Sequence, residues 1–313
     1  MIGRKNELEL LKKDYLSSQS SILVCYGRRR IGKSYLIENH IFSIKQTKKK
    51  KPLYFQFEGI EGQSSGFQIR SFYKKIVEQF NLDYSMMKPP KNWEDALNIL
   101  TDCLPKGEQK FIIYFDEFQW MASGRTVLPA LLKTYWDNNW KNKKIQLILC
   151  GSVSSYMIGK VIKSKALYGR VRYEINVSFL SLNESLLFFK KEKSFLEIMK
   201  YLIVFGGVPK YLADLNPSLS FEENLEKLFF DANSSYINEF EKVFYSQFKE
   251  YRTYEKIIKF VALGAENLES ISKKIGMKSG GGLKFYLENL ERAQFIKGYF
   301  SNPQNSKSKI VKY

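Results

Sequence analysis

The sequence predicts an α/β fold in which a parallel sheet is covered by helices. Three short apolar runs, at 21–25, 111–115 and 145–150, predict its central strands. They lack the strict alternation of polar and apolar residues that marks a half-exposed strand, which indicates burial on both faces. The runs are followed by a glycine-rich segment, a pair of carboxylates and a Gly-Ser pair, respectively. We therefore expect the three strand ends to contribute to one site.

The length and composition of the sequence indicate a globular protein. The 313 residues are 44% hydrophobic and 15% aromatic, enough for two or three domains with real cores. We expect a cytoplasmic protein, because no apolar run has the length of a membrane span and the start of the sequence lacks a secretory signal. Three cysteines show no metal-ligand spacing, and a single histidine makes histidine-based catalysis improbable. The net charge of +18 favours an anionic partner such as nucleic acid, although lysines that only solvate the surface would give the same value.

The first strand leads into a phosphate-binding loop. After an amphipathic helix with Leu8, Leu11 and Tyr15 on one side, the apolar run closes in GRRRIGKS, the pattern G-x-x-x-x-G-K-S. Glycines let the backbone curl around a triphosphate, the lysine reaches the outer phosphates, and the serine hydroxyl binds Mg²⁺. A helix follows, with its positive end toward the phosphates. The predicted nucleotide-binding residues are Gly27, Arg28, Arg29, Arg30, Ile31, Gly32, Lys33, Ser34 and Tyr35.

The next elements complete the framework of the sheet. The lysine-rich segment 45–51 is predicted to be an exposed loop, and 52–58 to be a second strand. Apolar periodicity predicts helices over 67–80 and 93–104, separated by a break at the two prolines of 89–90.

The strand 111–117 supplies the acidic partner of the phosphate loop. We expect Asp116 to hold Mg²⁺ through water, and Glu117 to polarise the water that attacks the γ-phosphate. The strand 145–152 ends in Ser152, which could sense the γ-phosphate through a hydrogen bond.

A basic stretch follows and contains LYGRVR before a fifth predicted strand at 173–177. Arg170 could reach a triphosphate, in its own subunit or in a neighbour, and stabilise the transition state. A role as an ordinary surface arginine is the alternative.

From residue 181 the apolar period becomes helical, and Phe205-Gly206-Gly207-Val208-Pro209 interrupts these helices, with Pro209 suited to the first turn of a new one. The tail then predicts three helices and a hairpin, the pattern of a winged helix. Its residues 253–313 carry eleven Lys and Arg against five acidic residues. DNA contact is predicted through Lys273, Lys278, Ser279 and Lys284. Docking of a protein partner is the alternative, because Glu288 and Glu291 on the predicted recognition helix would repel the phosphates of DNA.

Together these segments resemble the archaeal-type P-loop ATPases of the AAA+ superclass, close to the STAND group. The resemblance rests on IGRKNELELL, GRRRIGKS, FIIYFDEFQ, LILCGS, LYGR and FGGVPKYL, in that order. It implies a three-layer αβα sandwich with a five-stranded parallel sheet in the order 5-1-4-3-2, a helical lid and a winged helix. The corresponding ranges are 1–178 for the ATP-binding core, 179–250 for the lid and 251–313 for the winged helix.

The resemblance also implies residue roles. Arg4 is expected near the adenine pocket, Ser152 as the γ-phosphate sensor, and Val208 and Pro209 as lid contacts to the nucleotide. Many relatives continue into a restriction-endonuclease-like domain, whereas this sequence ends at Tyr313, so no nuclease is expected in these residues.

We therefore expect an ATPase switch that uses ATP and Mg²⁺, releases ADP, and has a winged helix for DNA or a protein partner, with oligomers possible and no membrane contact. One alternative is a nucleotide-gated DNA-binding or scaffold protein with negligible turnover. A small-molecule kinase ranks last, because it has no need for Asp116-Glu117 followed by Ser152.

Overall fold

A computed structural model describes residues 2–47, 54–83, 88–105, 107, 109–124, 127–152, 156–189, 193–234, 236–248, 251–264, 266–300 and 311–313. The chain divides into two compact units, Met1–Phe188 and Phe189–Tyr313. Within the described ranges, no helix combines the length and the apolar character needed to cross a lipid bilayer.

The first unit alternates strands and helices. Its strands are β1 (Ser21–Tyr26), β2 (Tyr54–Glu58), β3 (Phe111–Asp116), β4 (Ile145–Gly151) and β5 (Val171–Asn176). Its α-helices are α1 (Lys5–Leu16), α2 (Lys33–Thr47), α3 (Ser65–Phe80), α4 (Trp93–Asp102), α5 (Phe118–Met121), α6 (Leu128–Tyr135) and α7 (Leu182–Ser185). π-Helical segments cover Trp136–Trp140 and Met157–Ile162, and a 3-10 turn covers Leu186–Phe188.

The five strands form one parallel sheet in the order β2-β3-β4-β1-β5, which confirms the predicted order 5-1-4-3-2. β4 lies between β1 and β3, with Cys25 paired to Cys150 and Phe115 paired to Leu149. The carboxyl ends of these three strands are therefore neighbours at one edge of the sheet.

The central strands β1, β3 and β4 are buried on both faces of the sheet. Successive side chains of a strand point to opposite faces, so those of β3 enter two different cores. Ile113 and Phe115 of β3 belong to a core that includes residues of α3, α4 and α6. Ile112 and Tyr114 belong to a second core that includes residues of α1 and α2. The predicted α/β fold is confirmed.

Element boundaries differ from the predictions where local hydrogen bonds set them. α3 begins at Ser65 rather than at 67, because the Ser64 hydroxyl accepts a hydrogen bond from the Phe67 amide at 3.3 Å and caps the helix. α2 continues through Thr47, so the prediction of a loop from 45 was wrong for 45–47, and 48–51 lie outside the described residues. β5 begins at Val171, two residues before the predicted start.

The outer edge of the sheet at β2 is capped by a side chain. The Gln79 amide of α3 donates to the Tyr54 carbonyl and accepts from the Gln56 amide at 3.5 Å. It occupies the position that a peptide group of a further strand would take.

The amino edge of the sheet encloses a buried polar cluster. The Asp14 carboxylate accepts hydrogen bonds from Gln146 Nε2 at 2.8 Å and from the Ser21 hydroxyl, and Lys110 Nζ lies 3.4 Å from it. Gln146 Oε1 in turn contacts His40 Nε2 at 2.9 Å. Burial lowers the pKa of His40 to about 4, so this histidine is neutral near pH 7.

The second unit is mostly helical. Its helices are α8 (Phe195–Phe205), α9 (Pro209–Ala213), α10 (Phe221–Leu225), α11 (Glu239–Gln247), α12 (Tyr251–Val261), α13 (Leu268–Ile275) and α14 (Gly281–Arg292), with a π-helical segment at Glu226–Phe230. α9 begins at Pro209, as predicted, because proline lacks the amide hydrogen that the first turn of a helix leaves unpaired.

The end of this unit has its own core. Apolar residues of α12, α13 and α14 pack together with Phe244 and Phe248. The antiparallel strands β6 (Tyr299–Phe300) and β7 (Val311–Lys312) follow, and Asn267 forms a β-bridge with Lys312. The predicted turn at Asn302-Pro303 lies outside the described residues.

Candidate functional site

The phosphate loop connects β1 to α2, and its backbone needs glycine at the first position. Gly27 has φ of +155°, and a Cβ added there would lie far inside van der Waals contact with the Val177 carbonyl oxygen. Gly32 also has positive φ, at +86°. The loop is thus pressed against the end of β5 in a conformation that other residues rarely adopt.

Lys33 opens α2 and points into the loop. Its side chain is almost fully buried, and Nζ donates to the Arg28 carbonyl at 3.0 Å. The buried side chain of Ile31 anchors the tip of the loop in the core beside α2. The ammonium group is thus held within the loop, where a phosphate would be its natural partner.

Ser34 and Asp116 meet at the carboxyl edge of the sheet. Ser34 Oγ donates to Asp116 Oδ2 at 2.7 Å, and Tyr114 donates to the same oxygen at 2.6 Å. Asp116 Oδ1 accepts from the Glu117 amide at 2.9 Å. The apolar run predicts only a buried strand residue at Tyr114, and nothing in the sequence indicates that its hydroxyl reaches Asp116.

This pair fits Mg²⁺ better than an ion that needs a full protein cage. Among the described residues, no group of three His, Cys, Asp or Glu side chains could hold a metal. Mg²⁺ in nucleotide sites uses one or two protein oxygens and completes its shell with phosphate and water. The Ser34 hydroxyl and the Asp116 carboxylate provide such oxygens.

Glu117 and Ser152 are also brought together. Glu117 follows β3 in a left-handed conformation with φ of 44°, and its Oε2 accepts from Ser152 Oγ at 2.7 Å. Gln119 Nε2 donates to the same Glu117 oxygen and, at 3.1 Å, to Ser152 Oγ. Nothing in the sequence singles out Gln119, the polar residue between the apolar Phe118 and Trp120.

Arg4 lies beside the phosphate loop. Its side chain is 5% exposed, and one guanidinium nitrogen donates to the Ile31 carbonyl at 3.3 Å and to the Ser178 carbonyl. Its backbone amide donates to Glu184 Oε1 at 2.6 Å, a contact across 180 positions that the sequence did not reveal. The structure therefore places Arg4 against the loop, while its role toward adenine stays a prediction.

The remaining loop side chains face different surroundings. Arg28 lies over the Phe179 ring at 5.7 Å, Arg29 pairs with Glu61 at 2.8 Å, and Tyr35 is more than half exposed.

A cleft of about 1110 Å³ opens beside the phosphate loop and runs along β2 and α3. Burial, together with the nearby carboxylates of Asp116 and Glu117, raises the pKa of Glu58 in its wall. Other residues that line the cleft include Arg29, Arg30, Glu61, Lys74, Glu117 and Trp120.

In the part of the chain that the structure describes, the hydrogen-bond partners of Arg170 lie outside the phosphate loop. Its guanidinium forms two hydrogen bonds with the Asp137 carboxylate, at 2.9 and 2.8 Å, and others with the carbonyls of Ala166 and Tyr168. The hydrogen bond from Arg170 lowers the pKa of Asp137. A role for Arg170 at a nucleotide stays a prediction.

The other predicted residues belong to the second unit. Pro209 is half-buried at the start of α9. The side chains predicted to contact nucleic acid are exposed on α13, α14 and the segment between them: Lys273, Lys278, Ser279 and Lys284.

Several known proteins resemble this chain. An uncharacterised protein of Methanocaldococcus jannaschii is 29% identical over 315 aligned residues, which cover all of this chain and 65% of that protein. The chain therefore spans less than two thirds of the length of this relative. A Walker-type ATPase of Pyrococcus abyssi has a TM-score of 0.69 at 20% identity, covering 99% of this chain and 93% of that chain. The ORC2 protein of Aeropyrum pernix, solved in ADPNP-ADP complexes, has a TM-score of 0.63 at 16% identity, covering 100% and 89%.

The two structural similarities establish a shared fold. A comparison with protein families shows to which family the chain belongs. A family described as an ATPase domain predominantly from Archaea matches residues 1–215. Because this match covers more than half of the chain, the protein belongs to that archaeal ATPase-domain family.

Proposed function

We propose that this protein is a Mg²⁺-dependent ATPase of the AAA+ superclass, STAND-like in organisation, in which hydrolysis of ATP to ADP drives a conformational switch. The observation that carries the proposal is the pair of 2.7 Å contacts, Ser34 to Asp116 and Ser152 to Glu117. These contacts link Ser34 of the phosphate loop to the proposed metal ligand Asp116, and the proposed sensor Ser152 to the proposed base Glu117.

The chain's own groups have distinct roles in this proposal. The loop amides and Lys33 bind the phosphates, while Ser34 and Asp116 would hold Mg²⁺, which when bound neutralises charge on the β- and γ-phosphates. Glu117 orients the attacking water and takes up a proton from it, as an oxygen–phosphorus bond forms and the bond to the ADP oxygen breaks. Ser152 donates a hydrogen bond to the γ-phosphate.

Further residues complete the proposed site. Arg4 contributes to the adenine side, and the loop arginines and Tyr35 line the nucleotide. Pro209 contacts the nucleotide from the helical lid, and Arg170 stabilises the transition state in its own subunit or in a neighbour.

Two substitutions test the proposal. Lys33→Ala should abolish ATP binding, and Glu117→Gln should slow phosphate release by about 100-fold or more while ATP still binds, because only the base is lost. Lys160→Ala and Glu9→Gln, at exposed positions of the first unit, are the matched controls. If Lys33→Ala and Glu117→Gln both released phosphate at the wild-type rate, an ATPase at this site would be refuted.

One observation favours a second candidate, a nucleotide-gated protein with negligible turnover. Glu117 Oε2 already accepts hydrogen bonds from both Ser152 and Gln119, so that oxygen is not open to an attacking water. Tight ATP occupancy without phosphate release by the wild-type protein would select this candidate.

We also propose that the end of the second unit is a winged helix that binds DNA. Exposed lysines on α13 and α14, and the three-helix core followed by a hairpin, support this assignment. Replacing Lys273, Lys278 and Lys284 with Ala should weaken DNA binding and make its salt dependence shallower, since fewer phosphates are contacted. The control replaces Lys13, Lys141 and Lys160, which are exposed in the first unit. If both triple variants weakened DNA binding equally, or if the wild-type protein did not bind DNA, docking of a protein partner would be the better interpretation.

A further inference from the structure

Gln119, Glu117 and Ser152 form a closed triangle of hydrogen bonds. Ser152 Oγ donates to Glu117 Oε2 at 2.7 Å, while Gln119 Nε2 donates to both of these oxygens. A serine hydroxyl has only one proton to give. Ser152 therefore cannot hold Glu117 and donate to a phosphate oxygen at the same time.

The amide of Gln119 has no such conflict. Its Nε2 carries two protons, and in the structure one is donated to Glu117 and the other to Ser152. When the Ser152 proton turns toward a γ-phosphate, the bond from Gln119 to Glu117 persists. Gln119 is thus the donor that can keep the Glu117 carboxylate in place while substrate is bound.

The surroundings fix the Gln119 side chain. It is 4% exposed, and its neighbours Phe118 and Met121 in the short helix α5 are buried. Gly151, at the end of β4, leaves room for the amide, since a Cβ there would lie 2.5 Å from Gln119 Oε1. The missing side chain of Gly151 is therefore part of how the amide is positioned.

We propose that Gln119 is the positioning residue for Glu117, holding the base in its working orientation after Ser152 has turned to the nucleotide. This inference rests on the proposed ATPase function. It assigns Gln119 an indirect role, because the amide acts on the carboxylate and not on the substrate.

The primary test is Gln119→Leu, which keeps a similar volume and removes the donor. We expect kcat to fall about 10- to 100-fold, the range typical when a supporting hydrogen bond to a functional group is lost, with ATP affinity changed less than twofold. Gln247→Leu is the matched control, because Gln247 is a buried glutamine of the second unit whose amide atoms have no partner among the described residues.

A double-mutant cycle separates positioning from general structural damage. If Gln119 acts through Glu117, then Gln119→Leu should lower kcat no further in a Glu117→Gln background. Multiplying effects would instead show that Gln119 acts independently of Glu117, and would overturn the inference.

A second Gln119 variant guards against misfolding, and a Gly151 variant tests the position of the amide. Gln119→Met, an unbranched side chain of similar length, replaces the leucine variant if that one does not fold, and the same fall in kcat is expected. Gly151→Ala should also lower kcat with ATP binding retained, because it displaces the amide without removing it. Wild-type kcat in the folded Gln119 variants, with turnover lost in Glu117→Gln, would overturn the positioning role alone. Undiminished turnover in Lys33→Ala and Glu117→Gln would overturn the proposed function itself.

Discussion

His40 should make the stability of the first unit depend on pH in a defined window. Its pKa is lowered from 6.5 to about 4, chiefly by burial, with Lys12 and Lys110 acting in the same direction and Gln146 and Asp14 opposing them. Above pH 6.5 the residue is neutral in both the folded and the unfolded state, so its contribution to stability is fully present. Between pH 6.5 and 4 only the unfolded state binds the proton, so stability is lost as the pH falls and levels off below about 4.

The loss in free energy of unfolding follows from the difference between the His40 pKa values of the folded and unfolded states. A difference of about 2.5 pKa units corresponds to roughly 3.4 kcal/mol in total, of which about 2 kcal/mol is lost by pH 5. Replacing His40 with Gln, which cannot titrate, should remove this part of the pH dependence, whatever its effect on stability at pH 7.5.

Urea unfolding followed by tryptophan fluorescence provides the assay. All four tryptophans, Trp93, Trp120, Trp136 and Trp140, lie in the first unit together with His40. The free energy of unfolding is compared at pH 7.5 and pH 5.0 for the wild type and His40→Gln. An equal loss in both proteins would refute the argument, because the pH dependence would then come from other groups.

Three further predictions concern residues at or next to the ends of the sheet strands. Tyr114→Phe removes one of two donors to the carboxylate oxygen that meets Ser34, so the Mg²⁺ concentration for half-maximal phosphate release should rise about tenfold; an unchanged requirement would contradict this. Gly27→Ala forces a Cβ onto the Val177 carbonyl and should abolish measurable ATP binding in titration calorimetry, whereas wild-type affinity would mean that the loop has room to relax. Lys110→Met removes the ammonium group 3.4 Å from the buried Asp14 carboxylate and leaves Arg172, at 3.8 Å, as its charged partner. Because the charge is only partly compensated, the substitution should cost about 3 kcal/mol in urea unfolding at pH 7.5, while a change below about 1 kcal/mol would show that the Lys110–Asp14 pair is dispensable.

The sequence predicted the framework well because the framework depends on local patterns. The continuous apolar run 111–115 indicated a strand buried on both faces, and β3 has all six residues buried. The strand order came from the resemblance to the archaeal-type P-loop ATPases, and β4 does lie between the strand of the phosphate loop and the strand of the acidic pair. These features need only short stretches of sequence.

What could not be predicted depends on contacts between distant positions. Gln119 looks like an isolated polar residue until Ser152, 33 positions away, is seen beside it. The partner of Arg170, Asp137, is likewise 33 positions away and belongs to a π-helical segment that apolar periodicity does not signal. Tyr114 sits in an apolar strand, and only the fold shows that its hydroxyl reaches a carboxylate.

The Gln79 amide that caps β2 has a consequence for assembly. Because it already satisfies Tyr54 and Gln56, a strand from another molecule would have to displace it before joining the sheet at those positions. Copies of this protein that associate are therefore expected to meet through side chains there, and not by extending one continuous sheet from molecule to molecule.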